Sequence, residues 1–138
     1  MRVVADTNVV VSGLLWRGNP RRILDAARDG IVELYTSPVL LEELEDVLSR
    51  EKFAKRLEAA GVTLRELVDG YSALAMLIAA EPIEPVILRD PDDDAVLACA
   101  VAADCEVVVS GDDDLLDLNQ YKEIRILTAT ELLAELSL

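Results

Sequence analysis

The sequence predicts a three-layer α/β/α domain, with a central parallel sheet of four to five strands and helices on both faces. Two observations carry this. Short β-branched runs alternate along the chain with longer segments of helical period. The runs around Val3 and Val107 are apolar on both faces, as strands in the middle of a parallel sheet are. At 138 residues, 52% of them hydrophobic, the chain suits one domain with a sizeable core and is short for two. Residues 1–138 therefore read as one unit.

The elements follow in order. A strand at Arg2–Ala5 leads into a short helix after Asn8, and a helix at Asn19–Arg28 precedes a strand at Val32–Thr36. Ser37-Pro38 is an N-cap with proline at the first helical position, which opens a helix to Ser49. Thr63 with Glu66 forms a capping box. Leu64, Leu67, Val68, Tyr71, Leu74, Ala75 and Ile78 then keep the helical period, predicting a helix over Thr63–Ala80. A short strand at Val86–Leu88 comes next. Asp90-Pro91 repeats the cap-and-proline device for a helix over Pro91–Ala103. Strands at Val107–Ser110 and Ile124–Leu127 and a helix at Ala129–Leu136 complete the chain. No repeat, low-complexity stretch or Gly/Ser-rich linker divides it.

Composition closes several chemistries. With no histidine, Ser-His-Asp and Cys-His catalysis are excluded, as are imidazole zinc sites. Cys99 and Cys105 are no C-x-x-C pair, and without a secretion signal no disulfide is expected. "YSALAMLIAA", the longest neutral run, is too short to span a bilayer, so a soluble, cytoplasmic protein is expected. A net charge of −14 repels nucleic acid at long range. A nuclease of this composition needs a metal that inverts the local sign, or a confined basic patch.

Ligand sites in open parallel sheets form beyond the carboxyl ends of the strands. Asp6 ends the first predicted strand in "VVADTN", and Asp112 follows the later run "VVVSG". In "DPDDDAVLACAV", Asp94 has Leu97, Ala98 and Val101 at i+3, i+4 and i+7, so it begins the inward stripe of an apolar helix. In "SPVLLEELEDVL", Glu43 has Val39 at i−4 and Val47 at i+4, and it alone of the four acids there sits within the apolar arc. Taken singly, these acids have plainer roles. Asp6, Asp112, Asp113 and Asp114 suit helix caps or first turns, as do Asp90, Asp92 and Asp93, and Glu43 suits an ion pair. Taken together they do not. Carboxylates converging to ~4 Å repel by about 4 kcal/mol per pair at an effective dielectric near 20. Such a group takes up protons or a cation. Oxygen donors favour a hard ion such as Mg2+ or Mn2+, which serves metal-assisted hydrolysis.

Four stretches, in this order and spacing over nearly the whole chain, resemble a known family. They are "VVADTNVVVSGLL", "SPVLLEELEDVLSR", "DPDDDAVLACAVAADCEVVVSGDDDLLDL" and "IRILTATELL". Together they resemble the PIN domain, specifically the VapC-like toxins of toxin–antitoxin systems. The resemblance implies a Mg2+- or Mn2+-dependent ribonuclease acting on single-stranded RNA and leaving 5′-phosphate and 3′-hydroxyl ends. It places the family's catalytic acids on Asp6, Glu43, Asp94 and Asp112. Asp6, Asp94 and Asp112 would hold metal, and Glu43 would complete the cluster or orient the attacking water. Ser110 stands where the family often has threonine and keeps the hydroxyl. Asn8 matches the family's D-T-N, is expected to hydrogen-bond within the site, and also suits the start of the helix. Asp114 matches a further acid of many members. A cognate antitoxin, with an arm across the cleft, and homodimerisation are implied as well.

Basic residues gather in "WRGNPRR" (Arg17, Arg21, Arg22) and in "SREKFAKR" (Arg50, Lys52, Lys55, Arg56). Either run suits the phosphates of a single strand, with Trp16 or Phe53 available for stacking. Either also suits an ordinary solvated helix face. Two other readings compete. One is a PIN-like binding module without activity, against which stands the presence of all four acids. The other is a receiver or haloacid-dehalogenase phosphotransfer domain. Receivers carry paired acids and a lysine after the last strand, whereas here Asp6 is single and Lys122 precedes that strand; position 8 is Asn where a dehalogenase needs Asp.

Overall fold

The two runs expected at the middle of the sheet are there. In the computed structural model, which describes residues 1–84 and 91–138, β1 (Arg2–Ala5) lies parallel between β2 (Glu33–Thr36) and β4 (Val107–Val109). Val3 pairs with Leu34 on one side and Val107 on the other. Val3, Val4 and all of β4 have no exposed surface. With β3 (Met76–Leu77), β5 (Gln120–Tyr121) and β6 (Ile124–Leu127), the order is β3-β2-β1-β4-β6-β5. Among the described strands five are parallel, and β5 joins the edge antiparallel.

Alternate side chains of β1 enter different cores. Val3 and Ala5 pack beneath α1 (Thr7–Leu15), α2 (Asn19–Arg28), α3 (Pro38–Leu48), α5 (Leu64–Leu74) and α8 (Ala129–Glu135). Val4 packs with Val108 and Ile126 beneath α6 (Pro91–Ala102) and α7 (Asp113–Leu118). This is the three-layer arrangement the pattern predicts. The topology also locates a crevice. From β1 the chain moves outward to β2, and it later returns past β1 to β4. Connections leaving the carboxyl ends of these neighbours therefore diverge, which is where ligands sit in such sheets.

α1 is fastened at both ends. Asp6 caps its start, accepting from the Val9 N–H, so the expectation that Asn8 opens this helix is corrected: Asn8 lies one residue inside it. At its end the open carbonyls meet two guanidinium groups. Arg21 donates to Gly13 O at 3.1 Å and Leu14 O at 3.2 Å. Arg56, from α4 (Ala54–Ala60), donates to Leu15 O at 2.7 Å. These satisfy groups that a helix end leaves unpaired. Gly13 permits the close approach of α2, since a Cβ there would lie 2.9 Å from Leu24 Cδ1 and 3.0 Å from Pro20 O.

Several boundaries differ from expectation. The helix predicted over Thr63–Ala80 ends at Leu74; Ala75 is extended, and Met76 and Leu77 pair with Tyr35 and Thr36. The run "YSALAMLIAA" satisfies helix and strand periods alike, and the free edge of β2 decides between them. The strand expected at Val86–Leu88 and the cap at Asp90 fall outside the described residues. A 3-10 turn (Glu51–Phe53), α4 and β5 were not anticipated, and α7 is the helix implied by the capping reading of Asp112. Cys99 and Cys105 are free and buried. Among the described residues no helix is long and apolar enough to cross a membrane.

Gly13→Ala tests the α1–α2 contact. Helix propensity alone favours alanine by about 1 kcal/mol. Because Leu24 is fully buried and the second contact is backbone, overpacking should prevail and cost about 1–2 kcal/mol in urea unfolding. A net gain in stability would show that the two helices part without penalty.

Candidate functional site

The site is built where β1 and β4 end. The backbone N–H of Asp6 donates to Val109 O at 3.0 Å, which extends the β1–β4 ladder by one residue and sets the two exits side by side. Asp6 is 4% exposed. One carboxylate oxygen accepts from Val9 N at 2.9 Å, and the other accepts from the Ser110 hydroxyl. That same hydroxyl accepts from Asp112 N at 2.9 Å. Asp112 in turn caps α7, accepting from Leu115 N at 3.1 Å. A single buried hydroxyl thus ties the acid after β1 to the loop that carries the acid after β4.

Burial raises the Asp6 carboxyl above its ordinary range, because a charge taken from water is disfavoured. Hydrogen bonds from Ser110, Val9 and Gly111 oppose the shift, and the nearby charge of Asp112 adds to it. Asp6 therefore lowers fold stability while ionised.

Asp6, Thr7, Asn8, Glu43, Asp92, Asp93, Val96 and Asp112 line a cavity of about 40 Å³. That volume admits an ion with a little water and excludes a nucleobase. Among the described residues, no Lys or Arg lines it. Carboxylate oxygens of Asp93, Asp112 and Asp114 lie within 4.8 Å of one another. At that distance each ionised pair repels by about 3 kcal/mol at an effective dielectric near 20. The donors are all hard oxygens on partly or fully buried side chains. Such a set fits a divalent ion of the magnesium or manganese type and none that needs nitrogen or sulfur.

Most of the expected residues meet here. Asp6, Glu43, Asn8 and Asp112 line the cavity, Ser110 braces it, and Asp114 joins the acid cluster. Asp94 does not. It is half-buried and lines a neighbouring apolar groove with Ser37, Val39, Ile83 and Ala98. Asp93, 6% exposed, takes the inward place instead. The reason is that α6 is buried almost all round: Val96, Leu97, Ala98, Cys99 and Ala100 are all covered. Period alone then gives no unique phase. At i+7, Asp93 meets Ala100, which is fully buried, while Asp94 meets Val101, which is 36% exposed. Both are apolar, so the sequence offers no signal that separates them. The arc around Glu43 shifts similarly, with Leu40, Leu44 and Val47 inside and Val39 57% exposed.

The seven basic residues of the two runs suited to RNA line no part of this cavity. Arg21 and Arg56 sit at the opposite end of α1, on its last carbonyls.

Comparison with known proteins agrees with this geometry. A family model described as PIN domain matches residues 2–114, the span from β1 through the acid cluster. No curated protein matches the chain in sequence. A similar solved structure is the crystal structure of VapBC2 from Rickettsia felis bound to a DNA fragment from their promoter. The likeness has a TM-score of 0.60 at 13% identity and covers 91% of this chain and 97% of that one. At that identity it is a likeness of fold.

Thermal unfolding with and without Mn2+ tests the donor set. An ion at a hundred times its Kd stabilises a native site by about 2.7 kcal/mol, or about 9 °C in a domain of this size. Asp112→Asn keeps a good N-cap while removing one charge. It should raise the metal-free Tm and remove at least half of the Mn2+-dependent rise. An undiminished rise in that variant would place the ion elsewhere.

Proposed function

The chain belongs to the PIN-domain family, and on that premise we propose that it is a metal-dependent ribonuclease for single-stranded RNA, serving as the toxin of a toxin–antitoxin pair. The observation that carries the reading is the gathering of acids from β1, α3, α6 and α7 around one small cavity at the topological switch point. Asp6, Asp93 and Asp112 are proposed to hold the ion, Mg2+ or Mn2+, with Asp114 beside them. A divalent ion bound there would stabilise charge on a phosphoryl oxygen and acidify a water for attack on phosphorus.

The chain's own groups supply positioning. Val9 N–H and the Ser110 hydroxyl fix both oxygens of Asp6. Leu115 N–H fixes an oxygen of Asp112. Glu43 enters the cavity from α3 and is suited to orient a water and accept its proton. The described residues that line the cavity carry five carboxylates, which suits a bound positive group, a basic arm of an antitoxin included. The similar VapBC2 structure is of a two-component complex. A partner of that kind and a homodimer in the cytoplasm are part of the proposal.

Cleavage of a labelled 12-nucleotide single-stranded RNA in Mn2+ tests the reading. Asp6→Asn and Asp93→Asn should each lower the rate about a hundredfold, the loss expected when a metal ligand worth several kcal/mol is removed. Asp94→Asn should stay within about threefold of wild type. Chelation should abolish cleavage, and the products should carry 5′-phosphates. Equal cutting by wild type and Asp6→Asn would remove the assignment. Loss at Asp94 with none at Asp93 would restore the phase expected from sequence.

A further inference from the structure

The two basic runs, separate in sequence, are one place in the fold. Trp16 and Phe53 bring their rings to 6.0 Å between centroids, tilted by 60°. Arg56 lies 5.7 Å from the Trp16 ring and donates to Leu15 O. Lys52 lies 5.1 Å from the Phe53 ring. Arg21 reaches the neighbouring carbonyls from α2. Seven of the chain's 13 Lys and Arg lie in these two runs, which contain a single acid, Glu51. In a chain of net charge −14, such a partition is a strong dipole.

Two of these residues have a structural reason to be there. Arg21 and Arg56 satisfy the carbonyls at the end of α1 and face the negative end of its dipole. Arg22 turns elsewhere, donating to Asn19 Oδ1 and lining a groove with Asp25 and Asp29. Arg17, Lys52 and Lys55 have no such reason; all three are exposed. Gathering like charges costs free energy unless an anion is bound. Beside them stands the chain's only tryptophan, 42% exposed, with part of its ring open to solvent. Exposed cations around an exposed aromatic suit a ligand with both phosphates and flat bases.

We propose that this patch is a subsite for single-stranded RNA, separate from the carboxylate cavity, which binds the strand some nucleotides away from the bond that is cut. The proposal rests on the ribonuclease reading above. α1 links the two places, with Asp6 capping one end and Trp16 following the other. Its nine residues span about 14 Å at ~1.5 Å per residue. That equals about four stacked nucleotides at ~3.4 Å each. A dinucleotide at the cavity therefore cannot reach the patch, and a 12-nucleotide strand can. The division also resolves the charge conflict: the acidic cavity takes the ion, and the far end of α1 takes the phosphates.

Trp16 reports on the patch directly, because its fluorescence is the only tryptophan signal. Titrating a 12-nucleotide RNA in Ca2+ should quench it. Arg17→Glu with Lys55→Glu should raise the Kd about tenfold. Losing two phosphate contacts should make the slope of log affinity against log salt shallower by about 1.4. In Mn2+ the double variant should show a raised KM and unchanged kcat on the 12-mer, and should cut a dinucleotide like wild type. Unchanged Kd and KM would overturn the proposal. So would equal losses on both substrates, which mean a structural role. Quenching by polyglutamate but not by RNA would also overturn it and assign the surface to an acidic protein. If wild type cuts neither substrate while RNA still quenches Trp16 in a patch-dependent way, the nuclease reading fails and the patch stands.

Discussion

Mutual repulsion among carboxylates at the ends of β1 and β4 is the constraint on which the rest depends. Acids at these exits crowd one small cavity, and burial already pushes Asp6 above the ordinary carboxyl range. A fold left to stability alone would avoid this arrangement. It persists because rigid backbone holds it. The β1–β4 ladder fixes the exits, the starts of α1 and α7 supply N–H groups to Asp6 and Asp112, and the Ser110 hydroxyl links them. Each of these two acids thus caps a helix and lines the cavity at once. Helix starts offer donors that partly compensate the charge while leaving the carboxylates beside a common space.

Much of this was legible in the sequence, for identifiable reasons. Runs apolar on both faces place β1 and β4 at the centre, and a carboxylate directly after β1 and another three residues past β4 mark the crevice. Glu43 stood out because it is a charge within an apolar arc. The limits are equally physical. On α6 a nearly all-round burial erases the phase of the stripe, so Asp93 and Asp94 are indistinguishable by period and only packing selects the first. At Met76–Leu77 a run that satisfies two periods is settled by the free edge of β2, a long-range partner no local window contains. Asp6 was read as either cap or site residue; it caps α1, and the same side chain lines the cavity.

The opposite end of α1 shows the same economy of parts. Guanidinium groups that close the helix also gather positive charge around an exposed indole, about one helix length from the acids. Local sequence showed two basic runs. Only the packing of α2 and α4 against the last turn of α1 makes them one surface. A net charge that argues against nucleic-acid binding on average therefore says little about a surface so unevenly charged.

The central claim is that these acids converge to hold an ion, with Asp93 rather than Asp94 among its ligands. Anomalous diffraction from crystals soaked in Mn2+ tests it most directly. The account predicts a peak in the cavity within coordination distance of Asp93 and Asp112, with Asp94 facing away. A peak bound by Asp94, or none in the cavity at saturating Mn2+, would contradict it.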